Sequence, residues 1–212
     1  MASATSIDLD AMDGQWGHLT GSATINTVTL AQGSTRTLIA DSTPTFTHSA
    51  NLLVLGSANV TAAAGDIIDL VGEGSGVSRM ARYTLANGKP LIEPAEILIA
   101  VGDETTAITT GTNKLTFRMP FAMTLDALPR ASLTTASSSG VVQVDINEAG
   151  TTIFSTELTV DANETSSETA ATPAALSDTS LADNAVITID IVAAGTNAAG
   201  LKLLLRGYRR NR

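Results

Sequence analysis

The chain has no cysteine and few aromatic or charged residues. Without Cys among its 212 residues, neither a disulfide framework nor a thiolate metal site can form. Charged residues make up 16% of the chain, below the roughly 25% of an ordinary globular domain. No apolar run approaches the ~20 residues of a membrane-spanning helix, and residues 1–10 do not resemble a signal peptide. We therefore expect that the chain does not insert into a membrane and that it assembles in a cytoplasm. We also expect its fold to be held together by burial alone.

The charge balance is acidic, with a formal net charge of −9. A chain of this charge is repelled by a phosphate backbone, so we expect no nucleic-acid binding. The positive charge is uneven, because four arginines fall within the last seven positions: Arg206, Arg209, Arg210 and Arg212. These arginines form either a solvated tail or a basic segment that docks on an acidic face of a neighbouring subunit.

What the chain has in abundance is small and β-branched residues, which favour strands. In residues 1–91, short apolar segments alternate with connections that contain Gly or Pro, such as Gly72–Gly76. Strand signals at this spacing predict an all-β fold. The predicted strands are Ser6–Leu9, Thr24–Leu30, Thr35–Ala40, Thr45–Thr47, Leu52–Leu55, Ile67–Val71 and Arg79–Leu85. No period of 20–50 residues is detected, so a solenoid is not predicted.

A second region is predicted at residues 92–212, after a linker at about 86–96. Apolar residues at alternate positions, typical of strands with one buried face, occur at Val142, Val144 and Ile146, at Ile187, Ile189 and Ile191, and at Leu201, Leu203 and Leu205. This pattern predicts an antiparallel β-sandwich with a jelly-roll-like topology. Asp161–Ser180 is interpreted as a long polar connection in which Ala174–Leu176 allows a local helix that no neighbouring residues sustain, and Pro94–Val101 is left unassigned.

No constellation of residues predicts catalysis, cofactor binding or metal binding. His18 and His48 each stand alone, which favours surface or structural roles. The alternative, a metal bound by histidines of three subunits on an axis, stays a hypothesis. Gly72–Gly76 lacks the Lys-Ser/Thr ending of a phosphate loop. No Gly-x-Ser-x-Gly motif occurs either.

Acidic and aromatic residues leave a few weaker alternatives. Asp8, Asp10 and Asp13 lack the Gly and Glu of a calcium loop and are interpreted as a solvated acidic segment, with weak divalent-cation binding as the alternative. Asp145 and Asn147 share a strand face, interpreted as exposed and polar, with a calcium or sugar contact as the alternative. Trp16 lies in a glycine-rich segment, where we expect its ring to cap the edge of a core rather than to form a lectin platform.

Two sets of segments resemble modules of tailed-bacteriophage tail-fibre and head-fibre proteins. The first set resembles a fibre module: Thr35–Ile39, Phe46–Leu55, Ala58–Thr61 and Ala64–Asp66. The second is similar to a β-sandwich domain near the C-termini of such proteins: Phe117–Leu125, Arg130–Leu133, Val144–Glu148 and Leu181–Asp183. The resemblance implies a trimeric all-β virion component and carries over no functional residue.

The sequence thus predicts a non-enzymatic virion structural protein. It would be a short head or tail fibre or spike that forms a homo-oligomer, with a trimer expected. An N-terminal attachment module at 1–91 would bind other virion proteins of the capsid, neck or tail, and a C-terminal sandwich at 92–212 would project or bind a host surface glycan. The alternatives are a capsid decoration protein that bridges capsomers and, more remotely, a fragment of a tailspike depolymerase.

Overall fold

The structure, a computed structural model, describes residues 1–212 and is all-β, as the sequence predicts. It contains several antiparallel sheets and no α-helix, and its only helical segments are two short 3-10 turns at Leu55–Ser57 and Ser167–Thr169. None of its helices has the length and apolar character needed to cross a membrane. The chain divides into two compact units: unit 1 is Met1–Glu93 with Asn211–Arg212, and unit 2 is Pro94–Arg210.

Unit 1 contains short strands separated by tight turns. Its strands are β1 (Ser6–Asp8), β2 (Trp16–Leu19), β3 (Thr24–Ile25), β4 (Thr27–Thr29), β5 (Thr35–Ala40), β6 (Thr45–Phe46), β7 (Leu52–Leu53), β8 (Val60–Thr61), β9 (Ile67–Gly74) and β10 (Val77–Thr84).

The first six strands form two stacked layers, which we call rungs. The first rung is β1–β3, the second is β4–β6, and each strand of the first pairs with one of the second. Strand β1 pairs with β4, β2 with β5 and β3 with β6, all in parallel. The offset is 21 residues in each pair: Ser6 lies beside Thr27, Trp16 beside Thr37 and Thr24 beside Thr45. The sequence shows no repeat of this length, yet the strands pair at a constant offset of 21 residues. The period is realised as backbone pairing, with little repetition of residue identity.

Buried apolar side chains of the two rungs stack on each other. Ile7 lies beside Val28 and Ile25 beside Phe46, and all four are buried. Strands β8 and β9 then add to the second rung in antiparallel orientation, β8 on β6 and β9 on β5. The result includes a five-stranded sheet in the order β2-β5-β9-β10-β7.

The Gly72–Gly76 segment ends β9 and turns the chain into β10. Gly72 lies against backbone, because a Cβ atom there would stand 2.2 Å from the carbonyl oxygen of Ala31. Glycine is required at this point by close packing of main chain on main chain.

Unit 2 has longer strands. Its strands are β11 (Ile92–Ala100), β12 (Gly111–Arg118), β13 (Met123–Leu125), β14 (Arg130–Ser132), β15 (Val142–Glu148), β16 (Thr151–Thr152), β17 (Phe154–Thr156), β18 (Leu158–Val160), β19 (Ala175–Leu176), β20 (Ser180–Leu181), β21 (Val186–Ala194) and β22 (Lys202–Arg210), of which β11 begins two residues before the unit boundary.

Two five-stranded sheets dominate unit 2 and share one core. One runs β11-β22-β13-β20 with β14 also on β22, and the other runs β12-β21-β15-β16 with β18 also on β15. Their inward residues form a single hydrophobic cluster that includes Leu203 of one sheet and Ile189 of the other. This arrangement is β-sandwich-like. All the alternating positions that the sequence singled out are buried, on β15, on β21, on β22 and at Leu201 just before β22.

Two local expectations need correction, and one unassigned segment gains a structure. The local helix allowed at Ala174–Leu176 does not form, because Ala175–Leu176 is strand β19, which pairs with β17. The unassigned segment Pro94–Val101 belongs largely to β11. Residues 206–210 are not a tail, because they form the last part of β22 within a sheet.

Candidate functional site

The two histidines lie in different settings, and neither joins a metal site. His18 is exposed on β2, and its Nδ1 lies 2.7 Å from an Oδ1 of Asp41. Nδ1 of His48 accepts a hydrogen bond from the Val54 amide at 3.1 Å, and the His48 amide donates to Asn59 at 2.8 Å. His48 therefore holds the loop around β7. The structure contains no group of three or more His, Cys, Asp or Glu residues that could hold a metal ion.

Of the first acidic residues, two organise turns. The Asp10 amide donates to Oδ1 of Asp8 at 3.0 Å, and the Ala31 amide donates to Oδ1 of Asp10 at 2.9 Å. Asp13 lies exposed in the connection between β1 and β2. Asp10 thus ties the first rung of unit 1 to the second, and the acidic segment is more ordered than a merely solvated one.

Asp145 and Asn147 share a face of β15, as the sequence predicts. Nδ2 of Asn147 donates to Asp145 at 3.1 Å and to Asp190 of β21 at 3.4 Å. The hydroxyl of Thr152 also donates to Asp145. These side chains are half-buried and bind one another across the sheet. Each of these side chains therefore has a hydrogen-bond partner within the sheet.

The most buried charged group of the chain is Asp66, whose side chain has 0% exposure. Its Oδ1 accepts from the Ala86 amide at 2.8 Å, and its Oδ2 accepts from the Ala63 amide at 2.8 Å and from the Tyr83 hydroxyl at 2.7 Å. The guanidinium of Arg212 completes the cluster through an ion pair with Asp66, and it donates to the Tyr83 oxygen at 3.0 Å.

This environment shifts the titration of both acidic groups. Burial alone would raise the pKa of Asp66, but hydrogen bonds from Arg212, Tyr83 and the two amides outweigh it, so the pKa of the carboxyl lies below its ordinary value. Burial and the neighbouring Asp66 carboxylate raise the pKa of the Tyr83 hydroxyl well above its ordinary value. The cluster is therefore a charged network at neutral pH that fixes Arg212 in unit 1. Sequence reasoning missed this cluster, and the only local signal was the Ala64–Asp66 turn.

Trp16 lies exposed at the start of β2. Its side chain is 60% exposed, so the expectation that its ring caps the edge of a core is wrong. The indole meets the ring of His18 in an edge-on contact, with 5.8 Å between ring centroids and 65° between ring planes. Met12 packs on the inner side of the same strand, with its terminal methyl next to Gly17.

A row of polar groups continues from Trp16 across the five-stranded sheet. The strand registers place Trp16 beside Thr37, Thr37 beside Asp69 and Asp69 beside Arg82. Thr37 donates to Asp69 Oδ1 at 2.6 Å, and Nε of Arg82 donates to Asp69 Oδ2 at 2.6 Å. The row, which we call the Trp16 row, spans strands β2, β5, β9 and β10 on one face.

Unit 2 contains two open pockets of interest. One, of about 270 Å³, is lined by Leu128, Leu158 and Pro173 with the ion pair of Arg130 and Glu168 at 3.0 Å. The other, of about 340 Å³, is lined by two carboxylates, Glu96 and Asp126, and by Arg206, whose Nε lies 3.0 Å from Glu96.

The second pocket places two carboxylates beside one guanidinium, and Arg206 belongs to it rather than to a free basic tail. Arg209 likewise lies over the ring of Phe121, with 5.3 Å from its Cζ to the ring centroid. Comparison of the chain with protein-family models, with curated proteins and with solved structures finds no match.

Proposed function

We propose that the chain is a non-enzymatic structural protein of a bacteriophage particle, a short head or tail fibre or spike that assembles as a trimer through β surfaces. The proposal rests on the resemblance of its segments to fibre modules and on the all-β fold. In this proposal, unit 2 is a jelly-roll-like sandwich, and the subunits join other virion proteins of the capsid, neck or tail.

The observation that carries the assembly proposal is the open edge of β11. This nine-residue strand pairs with β22 on one side and ends its sheet on the other. Leu98 in its second half is 69% exposed, the highest value among the large apolar side chains. Unpaired strand edges invite pairing with another chain, and natural proteins blunt them when they stay alone. Pro94 and Glu96 blunt the first half of β11, whereas Leu98 leaves the second half open.

The test is the native mass of the purified chain by light scattering or native mass spectrometry. We expect a mass near three times the 21.7 kDa subunit. Leu98→Lys should lower that mass, because it places a charge against the neighbouring subunit. The matched control is Val192→Lys, since Val192 is 49% exposed on the other sheet of unit 2. A monomeric parent chain, or equal loss of mass in both variants, would contradict the proposal.

A capsid decoration protein that bridges capsomers is the second candidate. One observation favours it: each unit has its own hydrophobic cluster, so the chain offers two separately packed bodies to two neighbours. Particles stripped of the protein should then lose thermal stability. A fibre protein would leave particle melting unchanged.

The remaining alternative is a depolymerase fragment, and the pocket of Glu96 and Asp126 makes its test specific. Turnover of a bacterial surface polysaccharide that disappears in Glu96→Gln but persists in Glu168→Gln would favour this activity over the structural role.

A further inference from the structure

We propose that the Trp16 row is a binding site for neutral carbohydrate, with the exposed indole as its stacking platform. The inference deepens the host contact of the proposed function and rests on that function only for the source of the sugar. The ligand class is a linear oligosaccharide of neutral hexoses.

The platform comes from the exposure and the placement of Trp16. An indole that is 60% exposed keeps a large apolar surface in water, and covering that surface with a ligand is favourable. Because Trp16 lies on a strand paired with β5, its backbone is fixed in position. The C–H face of a pyranose ring is apolar and matches an indole in size, and its C–H groups interact with the electron-rich ring face.

The polar flank of the row supplies what sugar hydroxyls need. Each hydroxyl donates one hydrogen bond and accepts others, so a vicinal pair requires a donor and an acceptor side by side. Asp69 and Arg82 offer that pair, because their side chains lie together and Arg82 is 70% exposed. Carboxylate oxygens accept about four hydrogen bonds and a guanidinium donates five, so capacity remains after their mutual contact.

A second donor–acceptor pair lies beside the platform, two residues further along β2. His18 touches the indole and contacts Asp41 at 2.7 Å, and both side chains are about half exposed, at 51% and 41%. From β2 to β10 the row crosses three strand spacings, which is about 14 Å. A ligand that covers this length has several sugar rings in line.

Charge selects neutral sugars over acidic ones. Asp69 and Arg82 cancel each other within the row, and Asp41 and the net charge of −9 repel carboxylated or phosphorylated glycans. Asp69 lies in the middle of the row, and Asp is depleted in the cores of protein interfaces, which argues against a protein partner.

Trp16 is the only tryptophan in the chain, so its intrinsic fluorescence reports on this site without a label. The experiment titrates the full chain with four neutral hexasaccharides, made of glucose, mannose, galactose or N-acetylglucosamine. We expect a saturable change in emission with at least one of them. Arg82→Ala and Asp69→Asn should each raise Kd about tenfold, as expected for one lost hydrogen bond to a charged group.

Arg130→Ala is the control, because Arg130 also forms an ion pair with a carboxylate at the surface, Glu168, but lies in unit 2, away from the Trp16 row. Its Kd should equal that of the parent chain. If none of the four sugars changes the emission, or if Arg130→Ala weakens binding as much as Arg82→Ala, the inference is overturned. Loss of native mass in Trp16→Ala without any sugar response would instead make this face a protein interface.

Failure here is distinguishable from failure of the virion proposal. Sugar binding by a monomeric chain would support the carbohydrate site and contradict the trimeric fibre. A trimer that binds none of the four sugars would support the fibre and contradict the site. Co-sedimentation of the chain with bacterial cells, competed by the active hexasaccharide, would identify the cell surface as the source of the glycan. Co-sedimentation that the sugar does not reduce would contradict that source.

Discussion

The carboxylate of Asp66 and the guanidinium of Arg212 form an ion pair inside unit 1, although 146 residues separate them in the sequence. The Asp66 side chain has no exposed surface, and that of Arg212 is 31% exposed. Asn211 supports the same placement, because its side-chain amide donates to the Pro90 carbonyl at 2.8 Å. Asn211 and Arg212 are thus packed in unit 1 with residues 1–93.

Asp66→Asn should destabilise unit 1 by about 3 kcal/mol, because it breaks a buried pair and leaves one of two backbone amide donors without an acceptor. Both carboxylate oxygens accept from backbone amides, of Ala86 and Ala63, and asparagine keeps only one of these oxygens. Chemical denaturation followed by circular dichroism gives the value. The control, Glu168→Gln in an exposed ion pair, should change stability by less than about 1 kcal/mol. Equal effects would show that the Asp66 network contributes little.

The same carboxylate predicts how stability depends on pH. The pKa of Asp66 is lower in the folded chain than its ordinary value of about 3.9, so the folded state favours the charged form. Its contribution is fully present above that ordinary value and disappears as pH falls through the lower folded pKa. The stability gap between parent and Asp66→Asn should therefore be constant from pH 7 to about 5 and should shrink below about 4. A gap that stays constant down to pH 2.5 would contradict this assignment.

Asp103 and Glu104 lose stabilisation in the same acidic range, so the parent chain alone cannot isolate Asp66. Hydrogen bonds from the amides of Thr106 and Thr105 lower the pKa of Asp103 to about 2. Contacts with Lys202 and Thr134 lower the pKa of Glu104. Only the difference between the parent and the Asp66 variant reports on the buried network.

The sequence predicts the buried faces of unit 2 well, because one-sided burial of a strand leaves a period of two. Val144, Ile189 and Leu203 all fall on the predicted inner faces. The parallel rungs of unit 1 produce no comparable period in the sequence. Their stacked positions share only apolar character, as in Ile25 beside Phe46, and neighbouring positions differ freely.

The candidate sites were less predictable because their members come from distant segments. Asp66 looks like any turn residue until Tyr83 and Arg212 are seen around it. The glycine-rich surroundings of Trp16 suggest a residue at the edge of a core. Only the strand register shows that its row ends in Asp69 and Arg82. Pairing between strands, rather than local pattern, creates both clusters.

Gly72→Ala should destabilise unit 1 although it adds a single methyl group. The new Cβ would stand 2.2 Å from the Ala31 oxygen and 2.4 Å from the Leu30 oxygen, and both belong to the backbone. Relief requires movement of β9 away from the second rung, and we expect a cost of about 2 kcal/mol or more. The control is Gly102→Ala, where the nearest atom lies 3.7 Å away. A Gly72→Ala chain that melts at the parent temperature would contradict the close packing of these segments.

Leu203→Asp should unfold unit 2. Leu203 has 0% exposure, lies opposite Ala131 of β14, and belongs to the cluster that joins both sheets. A carboxylate there has no cation among its apolar neighbours, so it must be either desolvated or protonated, and both are costly. Leu204 is the matched control, because the adjacent position of β22 faces the other way and is half-buried. We expect a cooperative melt to persist in Leu204→Asp and to disappear for unit 2 in Leu203→Asp, and an unchanged melt of Leu203→Asp would show that the register of β22 is wrong.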